Sequence, residues 1–270
     1  MKNNKPKIGL ALGSGGAKGL AHIGVIKVLA ENNIPIDFIA GTSIGALVGA
    51  HFAAYQSVEL LEKAAFDVTW RNGVLLFDPT LKSGFIKGDK VESFIKKILN
   101  GFEFKDLKIP LAVMATDMES GESVTINSGD LTKAVRASVS VPPIFKPVKY
   151  KNKILADGGL SNPVPVNLVR KMGADIVIAV NLDNDYSGNI VSSRNLSLST
   201  VAMSALNIMR HHLAQNCLKN ADIIVEPRVD ESGLVGWHKF FNNEKTLQAI
   251  KVGESAMKIK IKDLKDLLNS

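Results

Sequence analysis

The sequence predicts an α/β fold, a mostly parallel central sheet flanked by helices. Strand and helix signals alternate from residue 8 onward, glycine-rich turns stand where strands pass into helices, and the apolar runs are short. The composition agrees. Of 270 residues 46% are hydrophobic but only 6% aromatic, which calls for a core of Val, Ile, Leu and Ala and excludes disordered and fibrous classes.

Ile8 to Leu12 reads as a short buried strand running into a glycine turn. From Lys18 to Asn32, Leu20, Ile23, Val25, Ile26, Val28 and Leu29 recur at helical spacing, and Asn33 and Pro35 end that helix. Ile36 to Ala40 is a second strand, Gly41 to Gly45 a tight turn, and Ala46 to Tyr55 a helix of small residues. Gln56 to Asn100 reads mainly as helix with breaks at Asn72-Gly73 and Asp78-Pro79. Lys108 to Thr116 is a third strand, Ser123 to Ile126 continues a hairpin, and Leu131 to Ser138 is helical. Three prolines make Val141 to Pro147 irregular. Ile154-Leu155-Ala156 enters a turn at Asp157, a helix spans Pro165 to Met172, and Ile176 to Val180 is the last strong core strand. Residues 183–198, rich in Asn, Ser and Gly, read as a mobile loop. The remainder is helical apart from a strand at Ile223-Ile224-Val225. With neither repeats nor a convincing linker, one domain over residues 1–270 is expected, its helical part from about residue 200 packed on the rest.

Several classes drop out on bulk properties. Cys217 is the one cysteine, so no intramolecular disulfide forms, and a reducing compartment suits the chain. No run approaches the roughly 18 apolar residues of a membrane span. The basic start, Lys2 to Lys7, leads into a segment too short and glycine-rich for a secretory signal, so a cytoplasmic protein is expected. A net charge of +7 suits transient contact with an anionic membrane surface, but the lysines are scattered, so nucleic acid is not an expected partner.

Gly41-Thr42-Ser43-Ile44-Gly45 fits the G-x-S-x-G nucleophile elbow in the required context, an apolar strand before it and a small-residue helix after. Serine on such a turn takes strained backbone angles, so the residues two before and two after must lack Cβ. The following helix aims its N–H groups at the reacting oxygen. Upstream, Gly13-Ser14-Gly15-Gly16-Ala17-Lys18-Gly19 fails the Walker A spacing and misses the dinucleotide fingerprint by one position. An oxyanion hole of glycine amides, with Lys18 adding positive potential, is the better reading, and a plain tight turn is the alternative.

A conventional triad needs a later histidine. His211 and His212 are adjacent in an apparent helix and His238 stands in an aromatic stretch, none in a strand-end setting. Asp157-Gly158-Gly159 is better placed to take the serine proton directly. Together these segments resemble the bacterial patatin-like phospholipases. The family's glycine loop corresponds to Gly15-Gly16-Ala17-Lys18-Gly19, its elbow to residues 41–45, and its Asp-Gly-Gly to residues 157–159. Ala115-Thr116-Asp117 and Arg136 to Pro147 resemble the connecting segments. The likeness spans about residues 7–182. Ser14 departs from it, standing where many members have another glycine, and Gly13 absorbs that turn.

The resemblance implies a Ser43–Asp157 dyad without histidine, a modified α/β-hydrolase-like sheet, no cofactor or metal, and acyl-ester substrates, usually lipids. It also implies that the amides of Gly15, Gly16 and Ile44 hold the oxyanion. Trp237, Phe240 and Phe241 suit either the core or a membrane interface, Trp70 and Phe77 an acyl pocket, and Phe85, Ile86, Phe94 and Ile95 a lid. Asp117 reads as a turn carboxylate.

Overall fold

Ile8–Leu12, five residues without a charge, form strand β1 at the centre of the sheet, every one buried. The computed structural model describes residues 5–71, 87–184, 198–229 and 243–269. After a 3-10 turn over Gly16–Leu20 come α1 (Ala21–Glu31), β2 (Phe38–Thr42), α2 (Ile44–Tyr55) and α3 (Val58–Arg71). Then follow α4 (Asp89–Ile98), β3 (Leu111–Asp117), β4 (Ser123–Ile126), α5 (Leu131–Ser138), β5 (Val148–Tyr150) and β6 (Lys153–Asp157). The order closes with α6 (Val166–Lys171), β7 (Ile176–Val180), α7 (Leu198–Cys217), β8 (Ile223–Val225) and α8 (Asn243–Asn269).

The hydrogen-bonded path through the sheet runs β5-β6-β3-β2-β1-β7-β8, with β4 also paired to β3. From β3 to β8 every neighbour on that path is parallel, whereas β4, β5 and β6 join antiparallel. The expected mostly parallel sheet with helices on both faces is therefore what forms. Alternation along β1 sorts the two faces. Ile8, Leu10 and Leu12 enter the larger core with α1 and α2, while Ala11 enters a smaller one with Val166, Val169 and Ala214. Gly9 belongs to the crowded smaller side, where a Cβ would stand 1.9 Å from Val169 Cγ1. The long carboxy-terminal α8 packs on α1 through two glycines: a Cβ on Gly24 would fall 2.0 Å from the Ile250 carbonyl, and one on Gly253 1.9 Å from that of Ala21.

Some boundaries differ from expectation, each for a physical reason. β2 lies two residues later than predicted because Gly41 and Thr42 stay in the ladder, paired with Leu12 and Met114. The turn thus shrinks to Ser43. The helix expected from Lys18 begins only at Ala21, since Gly15 and Gly16 hold φ of 155° and 59° and the chain first makes a 3-10 turn. The third strand starts at Leu111 and not Lys108; the Lys108 and Ile109 amides are turned toward the Ala53 carbonyl, and Pro110 has none. β5 is missed by sequence, being three residues with no buried member. Asp183, read as part of a mobile loop, is buried at 3% exposure. The expected breaks near residues 72 and 78, residues 185–197 of that loop, and Phe77, Phe85, Ile86, Trp237, His238, Phe240 and Phe241 lie outside the described residues, as does the Trp70 side chain. Ile95, considered for a lid, is a core residue at 1% exposure. Among the described residues no helix is long and apolar enough to cross a membrane.

Candidate active site

Ser43 stands between β2 and α2 with φ 54° and ψ −123°, angles that cost a Cβ-bearing residue strain. The neighbouring glycines make the turn attainable. A Cβ on Gly41 would lie 2.5 Å from Ala46 Cα, and one on Gly45 would lie 2.3 Å from the Leu12 carbonyl oxygen. Both obstacles are backbone, which cannot step aside. Ser43 N–H donates to Ser138 Oγ at 2.8 Å, and Thr42 Oγ1 donates to the Asn162 carbonyl at 2.9 Å. The elbow is therefore held from α5 on one side and from the segment after β6 on the other.

The registers of β3 explain how Asp157 reaches it. Val113 and Met114 pair with β2 and with β4, so these strands occupy opposite edges of β3. Ala115 and Thr116 pair with β4 and with β6. β6 must then share the β2 edge, and the two strands meet there end on. The last β2 pair is Thr42 with Met114, and the last β6 pair is Asp157 with Ala115, one residue further along. At that junction Ser43 Oγ donates to Asp157 Oδ2 at 2.5 Å. Gly158 leaves β6 against β3 so closely that a Cβ would stand 2.5 Å from the Met114 carbonyl oxygen.

Asp157 is fixed on all sides. Its N–H donates to the Ser140 carbonyl, its own carbonyl accepts from Thr116 Oγ1, and its Oδ1 accepts the Gly159 N–H at 2.7 Å. Ser43 and Asp157 are 6% and 4% exposed. Burial is the largest influence on the Asp157 carboxyl and pushes it from 3.8 up to about 6. The hydrogen bonds from Ser43 and Gly159 and the positive charge of Arg210 oppose that rise, while Asp183 adds to it. A carboxylate with this proton affinity is ionised at neutral pH and still able to hold a proton for a moment, as a general base requires.

The glycine loop is tied down at its margins. Gly13 N–H donates to the Val180 carbonyl and Ser14 N–H to the Pro163 carbonyl, while the buried His22 ring engages the Gly13 carbonyl through Nε2. Burial lowers His22 to about 4. It is therefore neutral, and Nε2–H is the donor. Gly15 packs on Leu182, and Gly19 lies against Ile44, where any Cβ would meet Ile44 Cγ1 at 2.1 Å. That last contact brings the loop to the start of α2. Among the described residues, the loop's anchoring bonds to other segments use the amides of Gly13 and Ser14, and a bond within the loop uses that of Lys18, not those of Gly15 and Gly16. The first helical bonds of α2 run from Ala46 and Leu47 to the Ser43 carbonyl, which leaves the Ile44 amide outside the helical ladder.

Structure thus brings Ser43, Asp157, Gly41, Gly45, Gly158 and Gly159 to one junction, with Ser14 to Gly19 forming the adjoining loop. Lys18, expected to add positive potential to the loop, extends its side chain toward the segment after β7. Its ammonium reaches the Leu182 carbonyl at 2.5 Å and faces Asp183. His211 is turned to the Asp183 carbonyl through Nδ1 at 2.6 Å, while the Ser43 hydroxyl is engaged by Asp157. Asp117 holds the turn after β3, accepting from Lys153 and from the Glu119 N–H. Sequence reasoning missed Ser138, Ser140, Thr116, Asp183 and Arg210. The run Arg136-Ala137-Ser138-Val139-Ser140 held a usable signal, because small hydroxyls at a helix end suit backbone groups from another segment. Buried Arg136 secures that run, donating to Ser140 Oγ and to the Lys87 and Gly88 carbonyls.

A doubly wound sheet with a strained serine elbow facing a buried aspartate is the architecture of an α/β hydrolase-like protein. The chain belongs to the patatin-like phospholipase family, whose model matches residues 10–170. An uncharacterized NTE family protein of Mycobacterium tuberculosis is 37% identical over 187 residues, covering 69% of this chain and 52% of the relative. Patatin-like phospholipase domain-containing protein 7 of Rattus norvegicus is 36% identical over 183 residues, 65% of this chain and 13% of that protein. The chain therefore spans about half the length of the mycobacterial relative and a small part of the rat one. Among solved structures, VipD from Legionella pneumophila aligns over 94% of this chain and 66% of its own, with a TM-score of 0.52 and 13% identity. ExoU in its complex with SpcU from Pseudomonas aeruginosa aligns over 99% and 53%, with a TM-score of 0.50 and 14% identity. These two likenesses concern the fold.

Proposed function

We propose that this chain is a serine acyl-hydrolase that cleaves carboxylic ester bonds of lipids, with Ser43 as nucleophile and Asp157 as base. The observation that carries the reading is the 2.5 Å hydrogen bond from Ser43 Oγ to Asp157 Oδ2 at the end-on junction of two strands. Ser43 Oγ attacks the acyl carbonyl carbon while its proton passes to Asp157 Oδ2. The carbonyl oxygen becomes an oxyanion facing the amides of Gly15, Gly16 and Ile44, where each donor is worth about 3 kcal/mol in a water-poor site. Collapse expels the alcohol half of the lipid, which takes the proton from Asp157, and Ser43 keeps the acyl group as an ester. Water then attacks that ester and gives its proton to Asp157, and the proton returns to Ser43 Oγ as the fatty acid leaves. The family's phospholipase character and the names of its relatives support a lipid as substrate. Such a substrate brings the chain to a membrane surface, where a net charge of +7 favours anionic lipid.

Hydrolysis of p-nitrophenyl octanoate and of phosphatidylcholine tests the reading, alongside labelling by a fluorophosphonate read by peptide mass spectrometry. The adduct is expected on Ser43. Ser43→Ala and Asp157→Asn are each expected to lower kcat/KM by at least about a thousandfold with the fold intact. Because Asp157 must be ionised to accept the proton, kcat/KM falls tenfold per pH unit below about 6. Turnover near that of the wild type in either variant sinks the dyad.

A further inference from the structure

The family match ends at residue 170, yet α7, some thirty residues later, delivers a guanidinium to the wall of the site. Arg210 Nε donates to Asp183 Oδ2 at 2.8 Å, and a terminal Arg210 nitrogen reaches Asp183 Oδ1 at 2.8 Å, a two-pronged pair. The Arg210 and Asp183 side chains are 17% and 3% exposed. Asp183 Oδ2 also accepts Ser14 Oγ at 2.5 Å, so the same carboxylate holds the glycine loop. The segment carrying it is itself secured, with Asp183 N–H on Asn181 Oδ1 and the Asp183 carbonyl on the His211 ring.

Arg210, Ser14 and Asp157 converge on Gly159. A Cβ built there would stand 3.0 Å from Asp157 Oδ1, 3.2 Å from Arg210 Cδ and 3.3 Å from Ser14 Cβ. The Arg210 side chain, the loop and Asp157 therefore share one small space. A buried ion pair is a poor source of stability, since apolar side chains of similar volume serve as well or better. Its position beside Asp157 and the loop gives it another use.

We propose that Arg210 and Asp183 are positioning residues for the reaction: the pair locks Ser14 and the glycine loop in place and sets the charge around Asp157, which makes α7 part of the working site. The inference rests on reading Ser43 and Asp157 as nucleophile and base.

Among the described residues, few titratable or charged groups face these side chains. Asp157 meets Arg210 from α7 and Asp183 from the segment after β7. Asp183 meets Arg210, Lys18 from the 3-10 turn and His22 from α1. Burial alone would raise the Asp183 carboxyl; Arg210, then Lys18 and the Ser14 hydroxyl, hold it below the usual carboxylate range, so it stays charged. Arg210 lowers the proton affinity of Asp157, and Asp183 raises it. Removing either partner must therefore move the base in opposite directions.

The test is the pH dependence of kcat/KM of the full chain on p-nitrophenyl octanoate. Arg210→Gln and Arg210→Met are expected to move the acid limb up by about one pH unit, and Asp183→Asn to move it down by a similar amount. The double variant Arg210→Met/Asp183→Asn returns the limb close to that of the wild type. Arg210→Lys keeps the charge and hence the limb, with a lower kcat from the lost two-point contact. Ser14→Ala lowers kcat and leaves the limb where it was. A purely structural pair would lower activity in every variant without opposed shifts. Unshifted limbs in Arg210→Gln and Asp183→Asn, or shifts of the same sign, overturn the inference. Arg210→Gln, which keeps a donor toward Asp183, serves where the Met variant does not fold. If Ser43→Ala retains turnover, the dyad reading itself fails and this inference falls with it. If Ser43→Ala is dead and the limbs do not move, only the inference fails.

Discussion

The end of β2 and the end of β6 meet on one edge of β3, and they are built in different ways. The β2 end is a local construction: Ser43 takes its strained angles because Gly41 and Gly45, two residues to either side, clear the backbone around it. The β6 end is a long-range one. Asp157 draws its anchors and its electrostatics from Thr116, Ser140, Asp183 and Arg210, spread over most of the chain. In the roles proposed above, the nucleophile needs only a geometry, which a five-residue turn can supply. A base needs a tuned proton affinity, and burial and neighbouring charge are properties of the whole fold.

Breaking the local end should therefore cost stability first. Gly45→Ala drives a methyl into the Leu12 and Gly13 carbonyls, backbone on both sides. It is expected to destabilise the protein by about 3 kcal/mol or more in urea unfolding, with activity lost alongside. A loss under 1 kcal/mol would show that the elbow has room to relax.

Breaking the long-range end should do the reverse. Asp157 takes its proton at about 6 in the fold and near 3.8 in the unfolded chain. Its contribution is thus favourable below the unfolded value and is lost as pH rises through about 6, where a buried charge must be kept. Asp157→Asn removes that charge and is expected to gain about 3 kcal/mol at pH 8, a gain that disappears below about pH 4. Urea unfolding at both pH values decides. A variant no more stable than the wild type at pH 8 would mean that the surrounding hydrogen bonds already offset the burial.

The finest adjustment lies between the two ends. Ser138 Oγ accepts the Ser43 N–H from α5, and Ser138→Ala leaves that buried donor unpaired. A loss of about 1 kcal/mol is expected, with a kcat reduced severalfold. Equal stability and turnover would assign the elbow's geometry to the glycines alone.

The same contrast governs how much could be read from sequence. The strands Ile8–Leu12, Ile176–Val180 and Ile223–Val225 and the helix Leu131–Ser138 follow from short-range pattern, and their boundaries agree with the structure. So do the elbow and the glycine loop, because positive φ and close backbone approach demand glycine at known offsets. The second strand was misplaced because Gly41 and Thr42 look like turn residues, and only pairing with Leu12 and Met114 keeps them extended. Arg210 was invisible for a related reason. An arginine in mid-helix reads as solvent-facing, and nothing local reveals that Asp183 waits beside it. Asp183 itself stood in a polar stretch whose composition signals a loop.

The end-on meeting of β2 and β6 has a mechanical consequence. Neighbouring strands in a sheet are rotated by about 20° relative to one another, so residues on separated strands drift apart as the sheet flexes. Thr42 and Asp157 instead pair with consecutive residues of β3, Met114 and Ala115, on one edge. No strand intervenes between them to accumulate twist. In the proposed mechanism, flexing of the sheet would then carry Ser43 Oγ and Asp157 Oδ2 along together, and the proton's path would stay one hydrogen bond long.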